Sequence, residues 1–471
     1  MATQGPATEK GAAKAKAARP AAARPARPSG GVFVGVDIGT YGIKAVEVKG
    51  YGAGLTVTGI GYMPTPPGAI QAGRVEDPKS LGTAIKTLLS KSGISGKKIV
   101  TSVAGADGVV VRVIEVPKMT PAELKEAMRY EVERSIPFPI TDVEMDYQAL
   151  NPAPDDSPEN PNMEVLFAAA QRDIINRQLA MYQAAGQDVK AIDVEPLAFG
   201  RAIINLSRAG LDKKNVVVVN IGATFTEVGI FKDGVLRFPR TIPIAGENFT
   251  RAISDQTGLP MEQAEEEKKR SAAVLMDVVR AGGGVDFAAA EDPFPFGDFP
   301  TGDTTQNSTF GAGDTTEADT GSGDTTDRGV ADPFAQADSM SGAPGDADTV
   351  PQPVPAVETP ESRRRREIFD VIYPVLNEFA MEVRRSVDYF RSRFPADTVD
   401  QVILCGGSAK LAGLDAYINY ETGLPTVVAD PFAGLNVTAR QMSTTTREEV
   451  APAFAVALGL AVRDAVLGAG R

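Results

Sequence analysis

Apolar positions recur along the chain at two spacings, every second residue and every third to fourth, and the changes between them predict the elements. Val32, Val34, Val36 and Ile38 alternate as a buried strand, and after the turn at Gly39 a second strand carries Ile43, Ala45, Val46 and Val48. Leu55–Tyr62 predicts a third strand. In Asp77–Ser92 the residues Leu81, Ile85, Leu88 and Leu89 sit at helical spacing, with Gly93 as a stop. Ile99–Val103 and Val109–Val116 predict strands. Thr120–Arg134 predicts a helix: Thr120 caps it, Pro121 fits its first turn, Glu123 completes a capping box, and Pro137 and Pro139 end it. Val143–Leu150 and Val165–Ala170 read as strands and Ile174–Ala185 as a helix. Residues 99–189 therefore read strand-strand-helix-strand-strand-helix, a small α+β subdomain.

The pattern then begins again. Asn215–Ile221 is a buried strand, and Phe225–Phe231 with Val235–Thr241 form a hairpin around Lys232-Asp233-Gly234. Phe249–Gln256 and Met261–Val279 are helical. Glu367–Phe394 is a long helix with Phe369, Ile372, Leu376, Phe379 and Val383 on its apolar side and Pro374 as a kink point. Gln401–Leu404 is a strand running into Gly406-Gly407, and Pro452–Leu467 is a final helix. The most apolar stretch, Val450–Val462, is shorter than the roughly 18–20 residues that cross a bilayer.

Composition removes several chemistries. The 471 residues include one Cys, no His and no Trp, which excludes Ser-His-Asp and Cys-His catalysis, His-ligated metals, internal disulfides and thiolate zinc. The net charge of -13 is no basis for nucleic-acid binding. It is also uneven. Residues 1–30 carry +5 in an Ala/Pro/Lys/Arg arm without bulky apolar residues, which predicts a solvated, disordered tail. Residues 282–360 carry -14, with Gly-Asp-Thr-Thr starting at Gly302, Gly313 and Gly323 and Asp-Pro-Phe at Asp292 and Asp332. That segment reads as a disordered low-complexity insertion. The rest of the chain is near neutral. Arg363–Arg366 read as a solvated helix start. With no export signal and no disulfide framework, an intracellular protein is expected.

Two strand-turn-strand units carry the candidate chemistry. The first is Val36-Asp37-Ile38-Gly39-Thr40-Tyr41-Gly42-Ile43-Lys44 and the second Val219-Asn220-Ile221-Gly222-Ala223-Thr224-Phe225-Thr226. Each puts a polar residue at a strand end, then Gly, then a hydroxyl residue. Gly admits a phosphate to the backbone, turn N–H groups cradle it, and Thr hydroxyls and Lys44 add donors. Asp37 is placed to hold Mg²⁺ through water. One such unit is also an ordinary hairpin turn; two suggest a duplicated fold with a phosphate between the hairpins. A third element, Val402–Ala409, runs a buried strand into Gly406-Gly407-Ser408, where a base or ribose can pack on bare backbone.

These units resemble the actin-like ATPase superfamily, and most of all the PilM family of type IV pilus assembly proteins, relatives of the cell-division protein FtsA. The likeness covers about residues 31–281 and 361–471. It extends to Val116-Pro117-Lys118-Met119, Ile136-Pro137-Phe138-Pro139, Asp146-Tyr147-Gln148, Ile244-Ala245-Gly246-Glu247-Asn248, Ala264-Glu265-Glu266-Glu267-Lys268, Asp430-Pro431-Phe432 and the closing Ala455–Ala461. The resemblance implies an α/β fold of two duplicated actin-like lobes with a small PilM/FtsA-type (SHS2-like) α+β subdomain. The implied division is the arm 1–30, first core 31–102, small subdomain 103–189 and connecting helix 190–214. Second core 215–250, helical subdomain 251–281, insertion 282–360, helical subdomain 361–397 and second-core completion with a final connecting helix 398–471 follow.

Carried across, the resemblance implies ATP with Mg²⁺ as cofactors. Asp37, Gly39, Thr40, Tyr41 and Lys44 form the first phosphate loop, and Gly222, Ala223 and Thr224 the second. Glu195, before Pro196, sits near the γ-phosphate and positions water. Gly246, Glu265, Lys268, Gly406, Gly407 and Ser408 complete the nucleoside pocket. For Glu265 and Lys268 a plain i,i+3 surface pair is the competing reading. The second loop of the superfamily usually opens with Asp, and here it is Asn220, which implies slow or absent hydrolysis. The implied partners are the cytoplasmic N-terminal peptide of PilN, captured in a groove beside the small subdomain, then the pilus motor ATPases and platform protein, with membrane contact only through partners and a possible homo-oligomer. The chain closes at Arg471 without the amphipathic membrane helix of FtsA-like proteins, which favours recruitment through a partner. A metabolic kinase of the superfamily and an FtsA-like filament former are the alternatives.

Overall fold

The computed structural model describes residues 31–103, 108–150, 161–207, 209–282, 359–439 and 448–467. The basic arm and nearly all of the acidic insertion, with its Gly-Asp-Thr-Thr and Asp-Pro-Phe segments, lie outside the described residues.

Two mixed sheets share one plan. In the first lobe β1 (Val32–Ile38) pairs antiparallel with β2 (Gly42–Lys49), and β2 with β3 (Thr56–Pro64). On the other side of β1 lie β6 (Lys98–Val103) and β10 (Asp188–Val194), both parallel to it in the order β10-β6-β1-β2-β3. In the second lobe β11 (Val216–Ile221) pairs antiparallel with β12 (Thr226–Lys232), and β12 with β13 (Val235–Ile242). Parallel strands β14 (Gln401–Cys405) and β15 (Thr426–Val428) complete the order β15-β14-β11-β12-β13. The Val/Ile runs of β1 and β11 are central in their sheets, as strands that are apolar on both faces require.

Helices cover each sheet. On the first, α1 (Pro78–Lys91) packs against α3 (Arg172–Ala185), Leu81, Ile85 and Leu88 sharing one cluster with Met181 and Tyr182. Asp77 caps α1 by accepting from the N–H groups of Lys79 and Ser80. Tyr182 Oη donates to Thr101 Oγ1 at 2.7 Å, fixing α3 to β6. The two lobes meet on α4 (Glu195–Gly200) and the closing helix α10 (Ala455–Ala461), whose Ala198, Phe199, Val456 and Leu460 pack with Val218 and Ile403. Backbones touch there: a Cβ on Gly459 falls 1.7 Å from the Ala198 carbonyl oxygen.

The small sheet runs β7 (Val109–Pro117), β9 (Asn162–Gln171), β8 (Val143–Ala149), in that spatial order. The helix α2 (Pro121–Ser135), with the expected Thr120–Glu123 capping box, covers one face through Leu124, Met128 and Val132. On the opposite face Val111 and Val113 meet the α4 cluster. A ribbon of β4 (Ile70–Gln71) and β5 (Arg74–Val75) lies before α1.

Several expectations change. The strand at 99–103 is β6 and belongs to the first large sheet, and α3 packs on α1, sharing one apolar cluster with it. The small sheet with α2 therefore occupies Val109–Gln171. The expected helix Met261–Val279 is α6 (Met261–Ser271) and α7 (Met276–Arg280). Between them Val274 N donates to Ala412 O at 2.7 Å, a tertiary pairing that outweighs local helix propensity. The long helix α8 (Pro360–Arg393) runs on through Pro374 and packs against α5 (Gly246–Thr257) and α9 (Leu414–Thr422). Of Arg363–Arg366 near the start of α8, Arg363, Arg365 and Arg366 are exposed as expected, while Arg364 turns inward: its Nε donates at 2.8 Å to Glu267, which is buried on α6. The final helix is in pieces, a 3₁₀ turn at Ala451–Phe454, then α10, then α11 (Arg463–Leu467), where Arg463 reaches Asp193. Finally, residues 432–439 return to the first lobe: β16 (Asn436–Val437) pairs with β3 and Phe432 packs beside Leu55.

Candidate functional site

The tips of the two central hairpins face each other. Gly39 N donates to Gly42 O at 3.2 Å in the first and Gly222 N to Phe225 O at 3.1 Å in the second, the same closure in both. Thr224 Oγ1 donates to Thr40 Oγ1 at 3.0 Å, joining the lobes at this point.

Beneath the first tip Lys44 Nζ donates to Asp37 at 3.0 Å. The two are direct cross-strand partners, so both side chains lie on one face of the hairpin. Burial pulls the Lys44 ammonium down, but the Asp37 carboxylate more than offsets this and holds it above the usual lysine range.

Beneath the second tip the arrangement differs. Asn220 Nδ2 donates to Glu195 Oε2 at 3.1 Å, and Cys405 Sγ lies 3.7 Å from Asn220 Oδ1 as its donor. The amide thus has its nitrogen on a carboxylate and its oxygen on a thiol. An ionised Asp has no hydrogen to donate to the Glu195 carboxylate, which gives Asn220 a physical reason. Removal from water pushes the Glu195 carboxyl well above the usual carboxylate range, and the carboxylates of Asp37 and Glu227 add to it.

Glu227 was missed by the sequence reading. It is buried opposite Asn220, the register position that Lys44 holds opposite Asp37, and both its oxygens accept from Thr241 Oγ1 at 3.0 Å. Its signal was available in the duplication: aligning the two strand-turn-strand units places Glu227 on Lys44.

The second tip is fixed from behind. Gly246 N donates to Gly222 O at 3.1 Å, Glu247 N to Ala223 O at 2.8 Å, and Ser408 Oγ to Gly222 O at 3.1 Å. Lys268 Nζ donates to Gly246 O at 2.9 Å and pairs with Glu265 at 2.6 Å, while Thr250 donates to the same carboxylate. Burial pushes Glu265 up, but Lys268 and Thr250 outweigh it and hold the carboxyl low. Glu265 and Lys268 are therefore tied inward to α5 rather than forming a surface pair. Gly406 has φ +89°, and its Cβ would fall 2.4 Å from Ile221 O, so the turn demands glycine. A Cβ on Gly407 meets nothing within 4 Å, which leaves a bare, open backbone shelf.

The residues singled out from sequence are thus brought together about the two hairpin tips: Asp37, Gly39, Thr40, Tyr41 and Lys44 from the first lobe, Glu195 from α4, and the remainder from the second. The hairpin tips offer glycine backbone, two threonine hydroxyls and the Lys44 ammonium, donors that suit an anion, with the Glu195 carboxyl beneath the second tip. Among the described residues no three His, Cys, Asp or Glu side chains gather to hold a metal directly.

A family model described as type IV pilus assembly protein PilM matches residues 35–274 and 363–465. The chain belongs to the PilM family. A solved structure described as a PilM-PilN type IV pilus biogenesis complex is 25% identical, covers 93% of this chain and 99% of that one, and superposes with a TM-score of 0.65. The duplicated lobes are accordingly those of the actin-like α/β fold. Cell division protein FtsA of Bacillus subtilis (strain 168) is 25% identical over 261 residues, which is 51% of this chain and 58% of FtsA. FtsA of Pseudomonas aeruginosa is 34% identical over 97 residues, 21% of this chain and 22% of the relative. The chain thus spans little more than half the length of the first of these curated relatives. Among the described residues no helix of this PilM protein is long and apolar enough to cross a membrane.

Proposed function

We propose that this PilM protein is a cytoplasmic, ATP-binding adaptor of the type IV pilus assembly platform, held at the inner-membrane face through partners. The observation that carries nucleotide binding is the meeting of two equivalent Gly-closed hairpin tips, Thr40 against Thr224 at 3.0 Å. Phosphate fits there: turn backbone, two hydroxyls and Lys44 supply donors, and the open shelf at Gly407 accepts a flat base. Mg²⁺ would be held by Asp37 through water and by the phosphates themselves. Hydrolysis is slow on this reading. Position 220 has no carboxylate to activate the attacking water, and the Glu195 carboxyl is held by Asn220 Nδ2.

The partner is the N-terminal cytoplasmic peptide of PilN, in keeping with the PilM-PilN complex that this chain resembles. A groove lined by Gly73, Arg74, Val75, Val103, Ile174 and Gln178 lies where β5 and β6 meet α3. Gln178 is buried, its Nε2 donates to Ser102 O at 3.0 Å, and its Oε1 has no partner. An extended peptide laid along this groove would bind through apolar anchors and main-chain hydrogen bonds. On its far side the small sheet is tied to the second lobe by the ion pairs Glu164–Arg237 and Glu115–Arg393. Closure of the lobes on nucleotide therefore bears on the strands beside the groove, a coupling that requires different peptide affinities in the two states. Links to the motor ATPases and platform protein complete the role. A pull-down on the PilN N-terminal peptide, with and without Mg-ATP, is expected to show capture that changes with nucleotide; no capture in either state rejects the adaptor reading.

A further inference from the structure

Tyr41 follows Thr40 at the first hairpin tip. It is a large side chain left 50% exposed. Its backbone is fixed: Thr65 N donates to Tyr41 O at 3.2 Å, and the Tyr62 ring lies over Gly42 so closely that a Cβ there would fall 2.5 Å from it. The side chain instead crosses to the second lobe. Lys269 Nζ, from α6, stands 4.5 Å from the centre of the Tyr41 ring and is also hydrogen-bonded to its hydroxyl. The same ammonium lies 3.5 Å from Glu265 Oε1, whose other oxygen holds Lys268. Adjacent residues of one hairpin thus bridge the lobes twice: Thr40 inside, between the phosphate-loop tips, and Tyr41 outside, over Glu265.

We propose that Tyr41 and Lys269 form a clasp across the mouth of the cleft that sets how fast nucleotide leaves. The proposal rests on the reading of the cleft as a nucleotide site. The contact joins the residue next to Thr40 to the α6 carboxylate that also holds Lys268, so a ligand held between the tips would be enclosed on this side by it. The contact is half-exposed and built from one cation–π and one charge-assisted hydrogen bond, weak enough to open repeatedly and strong enough to slow escape. The hydroxyl and the Glu265 carboxylate keep the Lys269 ammonium charged, holding it above the usual lysine range against the pull of partial burial.

The test uses the full chain loaded with a fluorescent N-methylanthraniloyl ATP and chased with excess ATP in a stopped-flow instrument. Lys269→Met keeps the aliphatic stem and removes the charge; Tyr41→Leu removes the ring. Each is expected to raise the dissociation rate about five- to tenfold, the size of an exposed cation–π contact with one hydrogen bond. The double variant is expected to be no faster than either single one, because both break the same contact. The association rate of Lys269→Met should stay within about twofold, a split that general loss of structure would not produce. Tyr41→Phe keeps the ring and should give a smaller increase. Dissociation within about twofold of the wild type in both single variants, or effects that multiply, overturns the clasp. A wild-type protein that takes up no nucleotide refutes the underlying reading instead.

Discussion

Replacing Asn220 by Asp puts a carboxylate where an amide now donates to Glu195 at 3.1 Å. Two full charges at that separation repel by about 5 kcal/mol at an effective dielectric of about 20. Protonation sets a lower ceiling. Keeping one carboxyl of ordinary pKa, about 4.3, neutral at pH 7 costs about 4 kcal/mol, and about 1 kcal/mol at pH 5. Wild-type Glu195 already bears part of that cost, since its folded pKa is raised. Asn220→Asp is therefore expected to lose about 2 kcal/mol at pH 7, less at pH 5 and more at pH 8. Adding Glu195→Gln should recover most of the loss, because the new amide can donate to the new carboxylate. Urea unfolding of the four proteins at the three pH values closes the cycle. If Asn220→Asp is as stable as the wild type throughout, the Asn220–Glu195 contact does not carry the role given to it. Phosphate release should rise in the same variant, and a wild-type protein that already hydrolyses ATP rapidly contradicts the slow-turnover reading.

Glu47 and Glu195 should show opposite pH effects. Burial opposes the Glu47 charge, but Thr58 Oγ1 and the amides of Ser95 and Gly96 outweigh it and lower its pKa, so its stabilisation is present above the unfolded pKa and lost as pH falls. Glu47→Gln should cost about 2 kcal/mol at pH 7 and little near pH 3, read from urea midpoints. The raised pKa of Glu195 works the other way: its cost is absent below the unfolded pKa and grows as pH rises, so Glu195→Gln should match the wild type near pH 4 and exceed it at pH 8. Gly459→Ala should destabilise by about 3 kcal/mol or more in thermal or urea unfolding, since its Cβ would lie 1.7 Å from Ala198 O. Cys405 is buried and its thiol pKa is pushed up by burial, so it should resist a thiol-specific chromophoric disulfide until the protein unfolds. Charge reversal Glu115→Lys should weaken the response of peptide binding to ATP, and adding Arg393→Glu should restore it.

The strands and most helices were legible because their periodicity is driven by burial: Val34 and Val36, and Val216 to Val219, are fully buried, as their spacing requires. The hairpin tips were legible because each pairs a turn glycine with a threonine one or two residues on, Thr40 after Gly39 and Thr224 after Gly222. What escaped depended on contacts distant in sequence. The break at Val274 is decided by Ala412, and β16 is two residues long, beneath any periodic signal. Helix α3 has the same pattern whether it covers the small sheet or α1. Glu227 and Lys269 lie beside the recognised motifs and gain meaning from what faces them, Asn220 across a strand pair and Tyr41 across the cleft.

The central claim is that the cleft between the two hairpin tips binds Mg-ATP with its base on the shelf at Gly407. Calorimetric titration of Mg-ATP into the wild type and into Gly407→Phe tests it, since the shelf is open and the substitution meets nothing within 4 Å at its Cβ. The account predicts saturable binding of one nucleotide by the wild type and at least a tenfold loss in the variant at unchanged thermal stability. No binding by the wild type, or equal affinity in the two proteins, would contradict it.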